Sequence, residues 1–135
     1  ERDLALMFTY PFERLDAWQA ARALSSQIYK VTACFPAEEK YGIVQQLRRA
    51  AISVSSNLSE GTGRFSPKDQ AHFYSMAYSS LMELLNQIIN SKDLEFIPTN
   101  DYEALRSSIE PLRAIITGYE NTPSTNNPKL IHLNP

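Results

Sequence analysis

The chain has 135 residues, with 13 lysines and arginines against 15 aspartates and glutamates, which gives a formal net charge of −2. This length suits one domain whose core is large enough to fold without metal or disulfide support. The slight acidic excess argues against a general polyanion-binding protein, whose usual signature is strongly basic. Because the single Cys34 cannot form an intrachain disulfide and no apolar run is long enough to cross a membrane, we expect a cytoplasmic protein.

In the first half of the chain, apolar residues recur at steps of three and four, which predicts two packed helices. The first begins near residues 12–16 and ends before Pro36, since the residue preceding a proline disfavours helical geometry. The second begins near residues 38–39 and ends at Gly61 or Gly63, which we expect to form a left-handed cap. The two apolar seams are Ala17, Ala21, Leu24, Ile28, Val31 and Phe35, followed by Val44, Leu47, Ala51, Val54 and Leu58.

The second half of the chain predicts two more helices. Ser66 as N-cap followed by Pro67 starts the third helix, which runs to about Asp93. Asn100 with Glu103 three residues later forms a capping-box pattern that starts the fourth. The two apolar seams are Phe73, Ala77, Leu81, Leu84 and Ile88, followed by Tyr102, Leu105, Ile109, Leu112, Ile116 and Tyr119.

The fourth predicted helix contains Pro111, which removes a backbone hydrogen bond and crowds the carbonyl of Ser107. We therefore expect a kink near Ser107 or a break. Four helices with short connections predict an all-α, antiparallel up-down-up-down four-helix bundle over residues 1–121. Residues 122–135 are rich in proline, asparagine and threonine, which predicts a flexible tail.

The third helix is more apolar than a helix in a small monomeric bundle needs to be. Its apolar residues cover an arc of about 180°, whereas a stripe of about 100° is enough to face one core. An oligomer that buries the excess against another subunit is one explanation, and a thick core with some exposed apolar residues is the other. The candidate interface residues are Trp18, Tyr29, Tyr74, Tyr78, Leu85 and Ile89.

Arginine and hydroxyl side chains share the predicted outer face of the second helix. Its polar stripe consists of Gln45, Arg49, Ser53, Ser56 and Glu60. This face suits a solvated surface, a subunit interface, or a site for phosphate or an acidic partner. Arg64 and Lys68 lie near the start of the third helix, where free amide groups attract anions. Together with Arg48 and Arg49, they form the candidate set for binding nucleic acid or another partner.

Little in the sequence supports catalysis, a metal or a cofactor. Asp69 lies three residues before His72 and could orient its ring, but no nucleophile accompanies the pair. His72, His132 and Cys34 do not have the spacing of metal ligands. Glu83 lacks the histidine of the Glu-x-x-His pattern found in di-iron bundles. We expect no enzymatic activity, no cofactor and no small-molecule substrate.

Several short motifs follow one another at fixed spacing in the first three predicted helices. They are Leu15-x-x-Trp18, Gln46-Leu47-Arg48-Arg49-Ala50-Ala51, Ser53-x-x-Ser56-Asn57-x-x-Glu60-Gly61, Gly63-Arg64 and Ser80-Leu81-x-Glu83-Leu84. The block over roughly residues 12–97 resembles the four-helix bundle family named for proteins encoded in 23S rRNA intervening sequences. The resemblance implies assembly as a ring, typically a homopentamer. That family is similar to the accessory variability determinant of diversity-generating retroelements, a basic pentameric barrel that binds nucleic acid and a reverse transcriptase.

Residues and resemblance together favour a non-enzymatic, ring-forming binding module. It would hold RNA, or a nucleic-acid-handling protein such as a reverse transcriptase, through Arg48, Arg49, Arg64 and Lys68. The alternative is a purely structural oligomeric scaffold for protein partners, in which the arginines close the ring. Replacing Arg48 and Arg49 by alanine would weaken RNA binding and leave the fold intact in the first case, and would release monomers in the second.

Overall fold

The computed structural model describes residues 7–120. Within them the chain forms four α-helices and no strand, which confirms the predicted all-α, four-helix class. Helix α1 spans Asp16–Thr32, α2 Ile43–Thr62, α3 Pro67–Asp93 and α4 Thr99–Glu120, with short 3-10 helices at Pro11–Arg14 and Ala37–Glu39. The predicted flexible tail over residues 122–135 lies outside the described part of the chain.

Each helix packs against two others, so that the four surround one core. Helix α1 contacts α2 and α4, and α3 contacts the same two helices from the other side. Most residues of the apolar seams read from the sequence form this core, because a 3.6-residue helical period places residues three and four apart on one face. Phe73 is an exception, since it is only half-buried and lies outside the core cluster. The fully buried side chains include Leu24 and Ile28 of α1, Leu47 and Leu58 of α2, Leu81, Leu84 and Ile88 of α3, and Leu105, Leu112 and Ile116 of α4.

Two helices begin at residues other than the expected ones. The acidic residues at positions 38–39 belong to the 3-10 helix Ala37–Glu39, and α2 begins only after Gly42, whose φ of −106° and ψ of −114° are not helical. Helix α4 begins at Thr99, and the amide of Tyr102 donates to the carbonyl of Pro98 at 2.9 Å. Asn100 therefore lies inside the first turn and is not its N-cap.

The start of α3 agrees with the sequence prediction in detail. Ser66 has an extended backbone, and its Oγ accepts a hydrogen bond from the amide of Asp69 at 3.0 Å. Pro67 occupies the first helical position, where its missing amide hydrogen would have had no helical partner. Local capping chemistry is thus sufficient to fix this helix end.

Pro111 does not break α4, which runs continuously from Thr99 to Glu120. Both Pro111 and Ser107 are exposed. The Ser107 carbonyl, which loses its amide partner to the proline, can therefore hydrogen-bond to water instead. A missing helical hydrogen bond on the solvent side is tolerated because hydration replaces it.

The left-handed cap expected at the end of α2 is absent, since no glycine among residues 7–120 has a positive φ. Gly63 has a φ of −83°, and its amide donates to the carbonyls of Ser59 and Glu60. Gly61 is required for close packing instead. A Cβ at this buried position would lie 2.7 Å from Cε1 of Tyr74.

Candidate functional site

The outer face of α2 carries an exposed apolar side chain surrounded by polar ones. Ile52 is 45% exposed at its centre. Its neighbours three and four residues away are Arg48 and Arg49 on one side and Ser55 and Ser56 on the other, and these spacings place all four next to it on the helix surface. A central apolar group with a polar rim is the arrangement found at binding surfaces.

An open groove of about 670 Å³ lies on this face, and we call it the cationic groove. Three cationic side chains line it and no carboxylate does, although the whole chain has a net charge of −2. Its lining residues are Tyr29, Lys40, Tyr41, Val44, Gln45, Arg48, Arg49, Ile52, Ser53 and Ser56.

Arg48 is fixed by contacts with the last turn of α1. Its Nε donates to Oγ1 of Thr32 at 2.9 Å, and its Nη2 donates to the carbonyl of Tyr29 at 3.3 Å. The guanidinium also lies 4.4 Å from the centroid of the Tyr29 ring. The carboxyl end of a helix carries a partial negative charge, which favours a cation there. Arg48 therefore joins α1 to α2 and is held in one orientation at the edge of the groove.

Arg49 is adjacent in sequence but has a different environment. It is exposed, and within residues 7–120 no hydrogen bond or ion pair engages its side chain. Its charge therefore has no partner inside this part of the subunit. All five guanidinium donors of Arg49 are available to a ligand.

Ser53, which belongs to the polar stripe of α2, is half-buried and contacts the neighbouring helix. Its Oγ shares a hydrogen bond of 2.8 Å with Oγ of Ser80 on α3, and Nδ2 of Asn57 donates to it at 3.2 Å. These small polar residues form a hydrogen-bonded contact between α2 and α3. Ser53 therefore contributes to the bundle as well as to the groove wall.

The structure does not bring the four cations predicted from the sequence into one patch. Arg64 lies fifteen residues after Arg49, beyond the end of α2, which corresponds to about 20 Å along the helix axis. Its guanidinium lies 4.5 Å from the centroid of the Phe73 ring, and the next residue in the chain, Phe65, is 98% exposed. Lys68 is exposed in the first turn of α3. Of these four predicted cations, Arg48 and Arg49 line the cationic groove and the other two do not.

Sequence reasoning missed Lys40 and Tyr41, which the connection between α1 and α2 places in the groove. Tyr41 is 81% exposed, and Nζ of Lys40 lies 5.4 Å from the centroid of its ring. These residues precede α2 and belong to no helical stripe, so periodicity could not assign them to a face. The sequence signal that could have indicated them is a lysine next to a tyrosine in the short connection before the helix that carries Arg48 and Arg49.

A second depression, of about 340 Å³, continues the same surface between α1 and α2. Tyr29 and Ile52 border both depressions. The second one is lined by Trp18, Arg22, Ser25, Ser26, Tyr29, Ile52 and Ser55. Trp18 lies edge-on to Phe12 at 5.1 Å, and the guanidinium of Arg22 is 5.4 Å from its ring centroid.

The residues proposed for an oligomer interface lie in three environments: beside the depressions, on the surface of α3, and, for Tyr74, in the core. Trp18 lines the second depression, and Tyr29, which is 44% exposed, borders both depressions. Tyr78 and Leu85 are half-buried on α3, and Ile89 of the same helix is 36% exposed.

Tyr74 must be removed from this interface set, because it is only 2% exposed. Its ring lies 5.3 Å from that of Tyr119, and burial raises the pKa of both phenols, that of Tyr119 to about 12. The helical period places Tyr74 near the middle of the apolar arc of α3, which leaves open whether the core or a second subunit covers it. The close approach of α2 at Gly61 and of α4 at Tyr119 encloses it in the core.

The groups considered for catalysis or metal binding are scattered. His72 is exposed on α3, and its ring lies 5.7 Å from that of Phe73. In the described residues, no three histidine, cysteine, aspartate or glutamate side chains are grouped as metal ligands would be. None of the helices in this part of the chain has the length and apolar character of a membrane span.

Comparison with known proteins identifies the family. The model of the 23S rRNA-intervening sequence protein family matches residues 13–118, so the chain belongs to that family. A solved structure from Bacteroides thetaiotaomicron, described as a protein of unknown function from the S23 ribosomal protein family, has a TM-score of 0.71. It is 16% identical over 78% of this chain and 99% of its own, which shows a shared fold. No curated protein matches the chain.

Proposed function

We propose that this member of the 23S rRNA-intervening sequence protein family is a non-enzymatic, cytoplasmic, oligomeric RNA-binding module. The observation that carries the proposal is the cationic groove, where three cations occur without a carboxylate in a chain of net negative charge. Such local charge segregation attracts phosphate groups even when the overall charge does not. RNA would bind through its backbone at this groove.

Arg48 and Arg49 would contribute to phosphate binding in two different ways. Guanidinium groups form paired hydrogen bonds with phosphate oxygens, and an arginine already held in place loses little conformational freedom on binding. Arg48 has its orientation set by Thr32 and Tyr29. Arg49 has its donors free, and Lys40 adds a third positive charge at the rim.

The module would work as a ring, which we propose to be a homopentamer of up-down-up-down bundles. A closed ring of identical subunits requires two different surfaces on each subunit, one to meet the next copy and one to meet the previous copy. Trp18 and Tyr29 on α1 can supply one surface, and Tyr78, Leu85 and Ile89 on α3 can supply the other. A ring repeats the groove, and simultaneous engagement of several grooves strengthens weak binding.

A protein partner is the second candidate for this surface. Ile52 is 45% exposed beside Trp18 and Tyr29, and exposed apolar groups of this kind favour contacts with proteins. A nucleic-acid-handling protein such as a reverse transcriptase would fit, by similarity to the accessory variability determinant. If the protein is instead a purely structural scaffold, the arginines serve only to join subunits in the ring.

An RNA titration with two matched arginine variants tests the proposal. Arg49→Ala should lower affinity and reduce the dependence of log K on log salt by about 0.7–0.9, the change expected for one lost phosphate contact. Arg64→Ala removes the same charge about 20 Å away and should change neither. Fluorescence anisotropy of a labelled structured RNA at several salt concentrations measures both quantities.

Three results would contradict the proposal. Equal effects of Arg49→Ala and Arg64→Ala would mean that binding is not localised to the cationic groove. No binding at low salt would exclude the RNA-binding role, and release of monomers by Arg49→Ala, seen by light scattering, would support the scaffold instead. Arg48→Ala is a poor test, because Arg48 also holds α1 against α2.

A further inference from the structure

We propose that the cationic groove selects unpaired RNA over duplex RNA, because Tyr41 stacks on an exposed base while Arg48 and Arg49 hold the adjoining phosphates. This inference rests on the proposed RNA-binding function and names the form of RNA that the groove accepts. It follows from the position of one aromatic side chain and from the composition of the groove floor.

Tyr41 is placed for contact with a ligand and not for packing. It is 81% exposed, although it lies in the short connection between α1 and α2, directly before Gly42. Lys40 lies 5.4 Å from its ring centroid, and Arg48 and Arg49 line the same groove. An aromatic face beside several cations is the combination that single-strand-binding proteins use for base and backbone.

The groove floor also favours an unpaired base. Val44 is buried beneath the groove, and Ile52 presents an exposed aliphatic side chain within it. Bases offer flat apolar faces that can contact such a floor, whereas the outer surface of a duplex offers charged phosphates and sugars.

Charge alone would give the opposite preference. Duplex nucleic acid has the higher linear charge density, and its binding depends more steeply on salt than that of single strands. A site that recognised only negative charge would therefore bind a duplex at least as tightly as a single strand of the same length. Preference for the single strand would show that base faces are contacted.

The test compares a labelled oligouridylate with the same strand paired to its oligoadenylate complement, using the full-length protein. The unpaired strand should bind about tenfold more tightly than the duplex. Tyr41→Ala should lower single-strand affinity about tenfold and leave the salt dependence unchanged, while Tyr41→Phe keeps the ring and should retain the affinity. Arg49→Ala should weaken binding to both RNAs and reduce the salt dependence.

The outcomes separate this inference from the function on which it rests. If neither RNA binds, both are wrong. If the duplex binds as tightly as the single strand, or if Tyr41→Ala changes nothing, the preference for unpaired RNA is wrong and the phosphate-binding groove stands. If an oligoglutamate of equal charge displaces the RNA as well as unlabelled oligouridylate does, the groove recognises charge only. Circular dichroism and urea denaturation should show an unchanged fold in Tyr41→Ala, since its side chain lies in solvent.

Discussion

At the scale of single residues, Gly61 has a role that its position near a helix end does not suggest. It is buried in the last turn of α2, where the ring of Tyr74 approaches from α3. A Cβ there would lie 2.7 Å from Cε1 of Tyr74 and 3.1 Å from Cβ of Phe73. Tyr74 cannot move aside easily, because it is itself buried against Tyr119.

Gly61→Ala should therefore destabilise the protein. Overpacking a buried contact costs about 1–3 kcal/mol, which should outweigh the gain of about 1 kcal/mol in helix propensity. Gly63→Ala is the matched control, because its backbone is right-handed helical and a Cβ would meet nothing nearer than 3.5 Å. The free energy of unfolding in urea measures both, and equal values for the two variants would contradict the packing role of Gly61.

Arg48 and Arg49 show how much one position along a helix changes what a residue can do. Successive residues differ by about 100° around the axis, so the two arginines point to different surroundings. Arg48 reaches Thr32 and Tyr29 on α1. Arg49 faces solvent, where its charge is available to a ligand.

At the scale of elements, α4 shows how a helix accommodates an interior proline. Pro111 is exposed, and the buried face of the helix is carried by residues that flank it, Ile109 and Leu112. These residues are 2% and 0% exposed. Packing against α1 and α3 therefore holds the helix together across the missing hydrogen bond.

Pro111→Ala should stabilise the protein. The substitution restores a hydrogen bond to the Ser107 carbonyl and removes the clash of the ring with it, and an interior proline is less favourable than alanine by up to about 3 kcal/mol. The expected result is a higher urea concentration at the midpoint of unfolding, with an unchanged dependence of the free energy of unfolding on urea. A lower midpoint would mean that α4 depends on the proline geometry.

At the scale of the whole molecule, the described residues leave two apolar surfaces uncovered. One lies on α1, around Trp18 and Tyr29. The other lies on α3, where Ile89 and the half-buried Tyr78 and Leu85 extend the apolar arc beyond the core. Because the two surfaces are different, repeated contact of one with the other would produce a ring or a chain of subunits and not a symmetric pair.

Ile89→Lys should release subunits from the proposed ring. A charge at this position would be desolvated in the interface, while the fold should be unaffected because Ile89 is 36% exposed in the subunit. Asn90→Lys adds the same charge at the next, exposed position and should leave the assembly intact. Light scattering measures the molar mass, and a wild-type monomer, or an unchanged mass in Ile89→Lys, would refute this interface.

The sequence by itself determined the helices, most of the core and the family. Its apolar seams identified buried residues such as Leu24, Leu58 and Leu112, because the helical period is a local property that decides which residues share a face. The N-cap at Ser66 was equally readable, since the hydrogen bond that defines it spans three residues. Arg48 and Arg49, which line the cationic groove, were also readable from the sequence as candidates for binding.

The tertiary structure alone decided which residues meet. It placed Lys40 and Tyr41 beside Arg49, separated Arg64 from that cluster, and enclosed Tyr74 in the core. A helical period gives the face of each residue but not the neighbouring element that covers that face. The covering element depends on how α1, α2 and α3 pack together. The contact of Arg48 with α1, and the close packing of Tyr74 against Gly61, are therefore seen only in the assembled bundle.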